Sequence, residues 1–283
     1  MHVINDRLKI KWEKRNNMNR EILKNYQKKD DKILLAQILD KIEICANRNK
    51  IEHTDFLDLM QIDLVQKFIE KIKIENYMSY GGYENAERKI FVIYPDKFNP
   101  EAVAENLSNI VQIIRIELPE DLKGKFTHRD YLGAVIKLGV KREKVGDIIV
   151  DNAGADIIID KDISKFLLEN LNGLTRFSKS TIKLEKIENL RRVEVKKEER
   201  EIIVSSLRMD NVISELARCS RNKALDIIKM ERVFINFECE TKKTKQIKPG
   251  DIVTIRGKGR FYIKQIIGQT KSGRFIVKIE KIV

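Results

Sequence analysis

The sequence contains no apolar run approaching the ~18 uninterrupted residues of a membrane span. Its opening stretch, "MHVINDRLKIKWEKRNN", lacks the apolar core of a secretory signal. A cytoplasmic protein with no membrane partner is expected. Cysteine is scarce and odd in number: Cys45, Cys219 and Cys239 lie far apart, which fits neither a disulfide framework nor zinc-ligand spacing. They are expected to be small buried hydrophobes, and no metal site or cofactor is expected. Glycine and proline are nearly absent from residues 19 to 76, which leaves few breaks there for anything but helices.

What the chain does hold is length and positive charge. With 283 residues, 42% of them hydrophobic, it can bury a substantial core and should form two or three domains. Its formal net charge of +13 is uneven: residues 201 to 283 carry 18 Lys and Arg against 9 Asp and Glu, a net +9. A localised basic face points to a polyanion, with a plain solvated surface as the alternative.

Periodicity divides the chain into an α+β protein of several parts. Residues 1–78 read as a helical N-terminal region, with Ile33, Leu34, Ile38, Ile42 and Cys45, then Phe56, Leu57, Met60, Leu64 and Phe68, at helical spacing. Residues 79–190 read as a central domain in which strands and helices alternate. It contains "KIFVIYP", a helix opened by Asn99 and Pro100, "VQIIRIEL", a helix capped by Thr127 and Asp130 and stopped at Gly139, the pair "DIIV" and "DIIID", "KDISKFLLENL" and "STIKLEKIE". That order predicts a ferredoxin-like α+β sandwich of the kind many RNA-recognition modules use. Residues 191–202 are a charged connector or hairpin, the hairpin favoured because Val193, Val195, Ile202 and Val204 flank a polar tip. Residues 203–283 predict two short helices followed by strands, with a type II turn at Pro249 and Gly250.

The stretch "CSRNKALDIIKMERVFIN" raises a question of charge. Ser220 reads as a helix N-cap, yet the first turn behind it carries Arg221 and Lys223, where the helix dipole favours acids. An arriving phosphate would resolve the conflict, because the first N–H groups of a helix are orphan donors at a partial positive charge. Arg221 is the stronger candidate, since a guanidinium meets phosphate through two parallel hydrogen bonds.

These residues also fall into a wider pattern. Arg208-Met209-Asp210, Ser220-Arg221-Asn222-Lys223-Ala224 and Val233-Phe234-Ile235-Asn236 resemble the RNA-binding domain named after ribosomal protein S-four. The resemblance implies RNA contact at Arg208, Ser220, Arg221 and Lys223. One departure is Glu231, where that family has Gly; a non-Gly residue in a left-handed turn costs roughly 1 kcal/mol. More widely, "YGGYENAER", "HRDYLGAVIKLGVKREKVGDIIV", "VSSLRMDNVIS" and "IRGKGRF" resemble the YlmH family of bacterial S-four-domain proteins, in that order and over nearly all of the chain. The resemblance implies a helical N-terminal region, a domain similar to an RNA-recognition fold and a C-terminal S-four domain. It also implies association with the large ribosomal subunit, its ribosomal RNA and tRNA, in the quality-control pathway that rescues stalled subunits.

The remaining candidates are weaker. "RGKGRF" lacks the spacing of a phosphate-binding P-loop and is read instead as a basic turn offering Arg256, Lys258 and Arg260 to RNA. Lys242, Lys243 and Lys245 form a lysine loop with the same possible use. Tyr80, Tyr83 and Arg88 are read as an anchored glycine turn rather than a substrate loop, and His128 has no partner that would make it a base. The expectation is therefore a non-enzymatic RNA-binding protein, monomeric when free, with no catalytic residues. The rivals are an RNA-modifying enzyme of the pseudouridine-synthase kind, for which Asp210 is a tempting but structural residue, and a duplex-DNA binder.

Overall fold

The structure, a computed structural model, describes residues 21–191 and 197–282, and the chain divides into two compact units, Met1–Arg192 and Val193–Val283.

The first unit opens with helices α1 (Lys29–Arg48) and α2 (Leu59–Lys71). Asp58 starts α2 with a capping box, accepting from the Gln61 N–H at 2.9 Å. The expected periodicity is present but turned slightly. Leu35, Ile38, Leu39, Ile42 and Cys45 are buried, whereas Ile33 is exposed and Phe56 lies ahead of α2 instead of within it. Three short strands join these helices: β1 (Glu52–His53), β2 (Tyr77–Tyr80) and β3 (Ile90–Ile93), in the order β1-β3-β2. Phe91 and Ile93 of β3 pack into the core of α1 and α2. The first layer therefore runs past the boundary expected at residue 78, because the helices need a sheet to cover their apolar faces.

Helix α3 (Pro100–Glu105), capped by Asn99, leads into the central domain. Its elements follow as β4 (Val111–Glu117), α4 (His128–Lys137), β5 (Val145–Asp151), β6 (Gly154–Asp160), α5 (Ser164–Asn170) and β7 (Thr181–Glu185). The sheet order β5-β6-β4-β7, antiparallel throughout, is the ferredoxin-like βαββαβ topology. Alternation sends Ile114, Ile116, Ile157 and Ile159 toward the core that α4 and α5 cover. On the opposite face Ile113 and Ile158 meet Phe56, Val92, Val103 and Ile187. Both faces of this sheet are thus buried within the first unit.

The second unit is a six-stranded antiparallel sheet under two helices. Its elements are β8 (Lys197–Val204), α6 (Met209–Ala217), α7 (Arg221–Lys229), β9 (Val233–Ile235), β10 (Glu238–Cys239), β11 (Ile252–Ile255), β12 (Gly259–Gln269) and β13 (Phe275–Ile282), with sheet order β10-β9-β11-β12-β13-β8. Residues 197–202, expected in a connector or hairpin, instead form most of β8 and pair with β13. Val193 and Val195, invoked for that hairpin, lie outside the described residues. Met209, Val212, Ile213 and Leu216 are buried as their spacing predicts. Of the cysteines only Cys45 is buried: Cys219 is half-buried and Cys239, on the edge strand β10, is exposed.

Candidate nucleic-acid interface

Both helices of the second unit end in a left-handed residue. After α6 this is Arg218, and the Cys219 N–H reaches the Ser214 carbonyl at 3.0 Å. After α7 it is Glu231, at φ 55°, with the Arg232 N–H bonded to the Ile227 carbonyl at 3.2 Å. The turn that usually takes Gly is therefore kept, with its strain.

The N-terminal ends of the same helices carry the charge. Asp210, in the first turn of α6, is 1% exposed, and a buried carboxylate demands partners. It has two. The Arg221 guanidinium donates to its Oδ2 at 2.6 and 3.0 Å, and Arg208 donates at 3.2 Å to each carboxylate oxygen. Burial pushes the Asp210 carboxyl up, but the hydrogen bonds from both arginines outweigh it and hold the group below its ordinary value.

This answers the question raised by Arg221 differently from the sequence. The anion that makes a cation tolerable at that helix end is already supplied by the chain, eleven residues upstream. Two positive charges against one negative leave a net positive fork, and it faces outward: the Arg221 side chain is 54% exposed and that of Arg208 34%. Ser220 acts as the N-cap, its Oγ accepting from the Lys223 N–H at 3.3 Å, while the Lys223 side chain extends from the exposed face of the first turn.

The lysine loop lies beside this fork. The first N–H groups of α6, from Met209 and Asp210, donate to the carbonyls of Lys245 and Lys243 at 2.8 and 3.2 Å. Orphan donors of a helix end are thus met by loop backbone. Lys242 and Lys243 remain exposed, and Lys245 lies 3.6 Å from Glu240. The structure therefore brings Arg208, Ser220, Arg221, Lys223, Lys242, Lys243 and Lys245 to one end of the helix pair.

It does not bring Arg256, Lys258 and Arg260 there. They follow β11 near the far end of α7, a helix about 13 Å long at 1.5 Å per residue, where the Arg232 guanidinium donates to the Arg256 carbonyl at 2.9 Å. Arg256 lies over the Phe234 ring, 4.7 Å from its centroid, and Arg260 over Phe237 at 5.8 Å. The sequence reading missed these two phenylalanines. The signal was the alternation of "VFINF", in which Phe234 points away from the core that holds Val233 and Ile235.

The central domain offers less than its topology suggests. RNA-recognition sheets stack bases on aromatic residues of their open face. Here that face bears Ile113, Arg115, Asp156 and Ile158, with the isoleucines covered by the N-terminal layer. Asp156 is fully buried, accepting from Arg115 at 2.7 and 2.8 Å and from the Arg191 Nε and backbone N–H at 3.0 and 2.9 Å. Stacking on that face is closed, which leaves helices, edges and loops for any RNA contact.

Tyr83 and Arg88 are likewise engaged. The Tyr83 hydroxyl and the Glu87 and Arg88 N–H groups donate to Asp147 at 2.7 to 3.1 Å, and the Arg88 side chain holds the carbonyls of Phe56 and Val145. The glycine loop is a clasp between the two layers of the first unit. Among the described residues no helix is long and apolar enough to cross a membrane, and no group of His, Cys, Asp and Glu is placed to hold a metal ion.

Two family models match segments of the first unit. Residues 108–191 match the family model described as "Putative RNA-binding domain in YlmH", and residues 30–98 match that for the YlmH N-terminal domain. The "Ribosome-associated protein quality control protein P2" of Bacillus subtilis (strain 168) is 30% identical over 258 residues, covering 90% of this chain and 96% of that protein. A solved structure, "Cell division protein ylmH from Streptococcus pneumoniae", aligns with TM-score 0.44 at 22% identity, over 59% of this chain and 98% of its own, and adds no argument. The two matched domains and the nearly full-length relative establish that this chain belongs to the YlmH family.

Proposed function

We propose that this protein is a non-enzymatic RNA-binding factor of ribosome-associated quality control, docking in the cytoplasm on the ribosomal RNA and tRNA of stalled large subunits and monomeric when free. The observation that carries this reading is the exposed fork of Arg208 and Arg221, preset by buried Asp210 and flanked by a lysine loop held by backbone hydrogen bonds. Such a site presents guanidinium groups at fixed positions, so little side-chain freedom is lost when phosphate arrives. The relative's name, which places that protein at the ribosome in quality control, supports the setting.

The test is sedimentation of native lysate through sucrose gradients, wild type beside Arg221→Ala, with sequencing of the bound RNA. Migration with free large subunits carrying tRNA, lost in the variant, is expected. A protein left at the top of the gradient, or bound to one non-ribosomal RNA, would overturn the reading and direct attention to RNA modification. Six or so phosphate contacts give a slope of roughly −4 to −5 for log affinity against log salt. Arg221→Ala should weaken binding about tenfold and Lys243→Ala about twofold, since the arginine is the better fixed of the two.

A further inference from the structure

The outer face of the second unit's sheet, opposite its helices, combines aromatic rings with cations. Strands β9 and β10 are joined by a two-residue turn in which both Asn236 and Phe237 have positive φ, 49° and 70°. Such turns favour Asn followed by Gly. Asn236 fits: its side chain accepts from the Ile252 N–H and donates to Asp251, both at 2.9 Å. Phe237 does not fit, because a bulky residue is disfavoured in the left-handed region. An aromatic ring kept at a place that resists it suggests a use for the ring.

Its neighbours indicate what that use is. The cross-strand row Phe234, Thr254, Arg260 sets Phe234 and Arg260 on the same face with Thr254 between them, and Arg260 lies over Phe237 while Arg256 lies over Phe234. In the next row Tyr262 is half-buried, with Lys264 5.9 Å from its centroid. Lys258 is exposed in the turn between β11 and β12. Phe234 is buried and Lys264 is paired with Glu280 at 3.1 Å, but Phe237 and Tyr262 are half-exposed beside Arg256, Lys258 and Arg260. Such rings among cations match single-stranded nucleic acid, whose bases stack while its phosphates seek cations.

We propose that this sheet face is a second RNA surface, which takes an unpaired stretch of RNA by stacking bases on Phe237 and Tyr262 and holding phosphates with Arg256, Lys258 and Arg260. It is separate from the fork at the helix ends and rests on the reading of the protein as an RNA binder.

The experiment uses the full chain, fluorescence anisotropy with a labelled oligouridylate 12-mer, pelleting with purified large subunits, and thermal melting. Phe237→Gly is the informative variant, because the binding and packing roles move its stability in opposite directions. The expected result is about tenfold weaker 12-mer binding, with a melting temperature equal to or above that of the wild type. Arg256→Gln should weaken the 12-mer about threefold. Arg221→Ala should lose subunit pelleting and keep most of its 12-mer affinity. A lower melting temperature for Phe237→Gly would make the ring a packing element and overturn the proposal. So would a wild type that pellets with subunits but ignores the 12-mer, which leaves the proposed function standing. A wild type that does neither would overturn both.

Discussion

Two aspartates in this molecule do the same thing with opposite consequences. Asp156 in the central domain and Asp210 in the C-terminal one are both buried, and each grips two arginines through charge-assisted hydrogen bonds. The arginines of Asp156 are enclosed, with Arg115 16% and Arg191 13% exposed, and their remaining donors are spent on Asn189, Ile116 and Asp151. The arginines of Asp210 face water. A basic cluster is therefore assigned by where its cations end rather than by its composition: the first is a clasp that closes the domain, the second a fork that presents charge.

The comparison can be broken most severely at the clasp. Asp156→Asn should lower the stability of the full chain by about 3 kcal/mol, because two enclosed guanidinium groups lose the buried anion they share and keep only Asp151 and Glu185 at the rim. Urea unfolding reads this, and RNA affinity of the folded fraction should not change. Asp210→Asn should cost less, about 1–2 kcal/mol, since water screens its arginines, but it should also weaken RNA binding severalfold as the fork loses its geometry. A carboxyl whose folded pKa lies below its unfolded value lends stability in full above the unfolded value and loses it as pH falls through the folded one. The stability gap between wild type and Asp210→Asn should thus be constant near neutral pH and shrink below about pH 4.

Two smaller changes sharpen the contrast between closing and presenting. Tyr83→Phe removes one of three donors to Asp147 and should cost about 1 kcal/mol with RNA affinity intact; a loss of affinity would add this loop to the RNA contacts. Glu231→Gly relieves a left-handed residue at the end of α7 and should stabilise the chain by roughly 0.5 kcal/mol, after the added freedom of the unfolded chain is set against the strain. Thermal melting suffices to check it.

Elements with local signals could be read in advance. Asn99, the Thr127 and Asp130 pair, Gly139 and the Pro249-Gly250 turn mark their boundaries through short-range chemistry, and the alternation of "VQIIRIE" identifies β4 without its neighbours. What was not legible depends on distance. Residues 197–202 look like a charged connector because the first five are all charged, on both faces of β8, and only pairing with β13 makes them a strand. The central sheet's covered face is built from Phe56, Val92, Val103 and Ile187, four separate segments that no window of sequence unites. The candidate site was half legible. Arg221 and the lysines announced themselves by charge, but Asp210 reaches Arg221 across a helix pair, at a spacing that no single-helix rule anticipates.

The lysine loop separates two duties that are usually entangled. Its carbonyls hold the first turn of α6, while its side chains point toward whatever the protein meets. On the proposed reading, substitution at positions 242, 243 and 245 should change RNA affinity while sparing the backbone bonds that hold the helix. Insertion or deletion of a single residue would move the carbonyls out of register and release the helix end. The segment is thus tolerant of spelling and intolerant of length, so that, if it meets RNA as proposed, its charge can be tuned while its backbone bonds to the helix are kept.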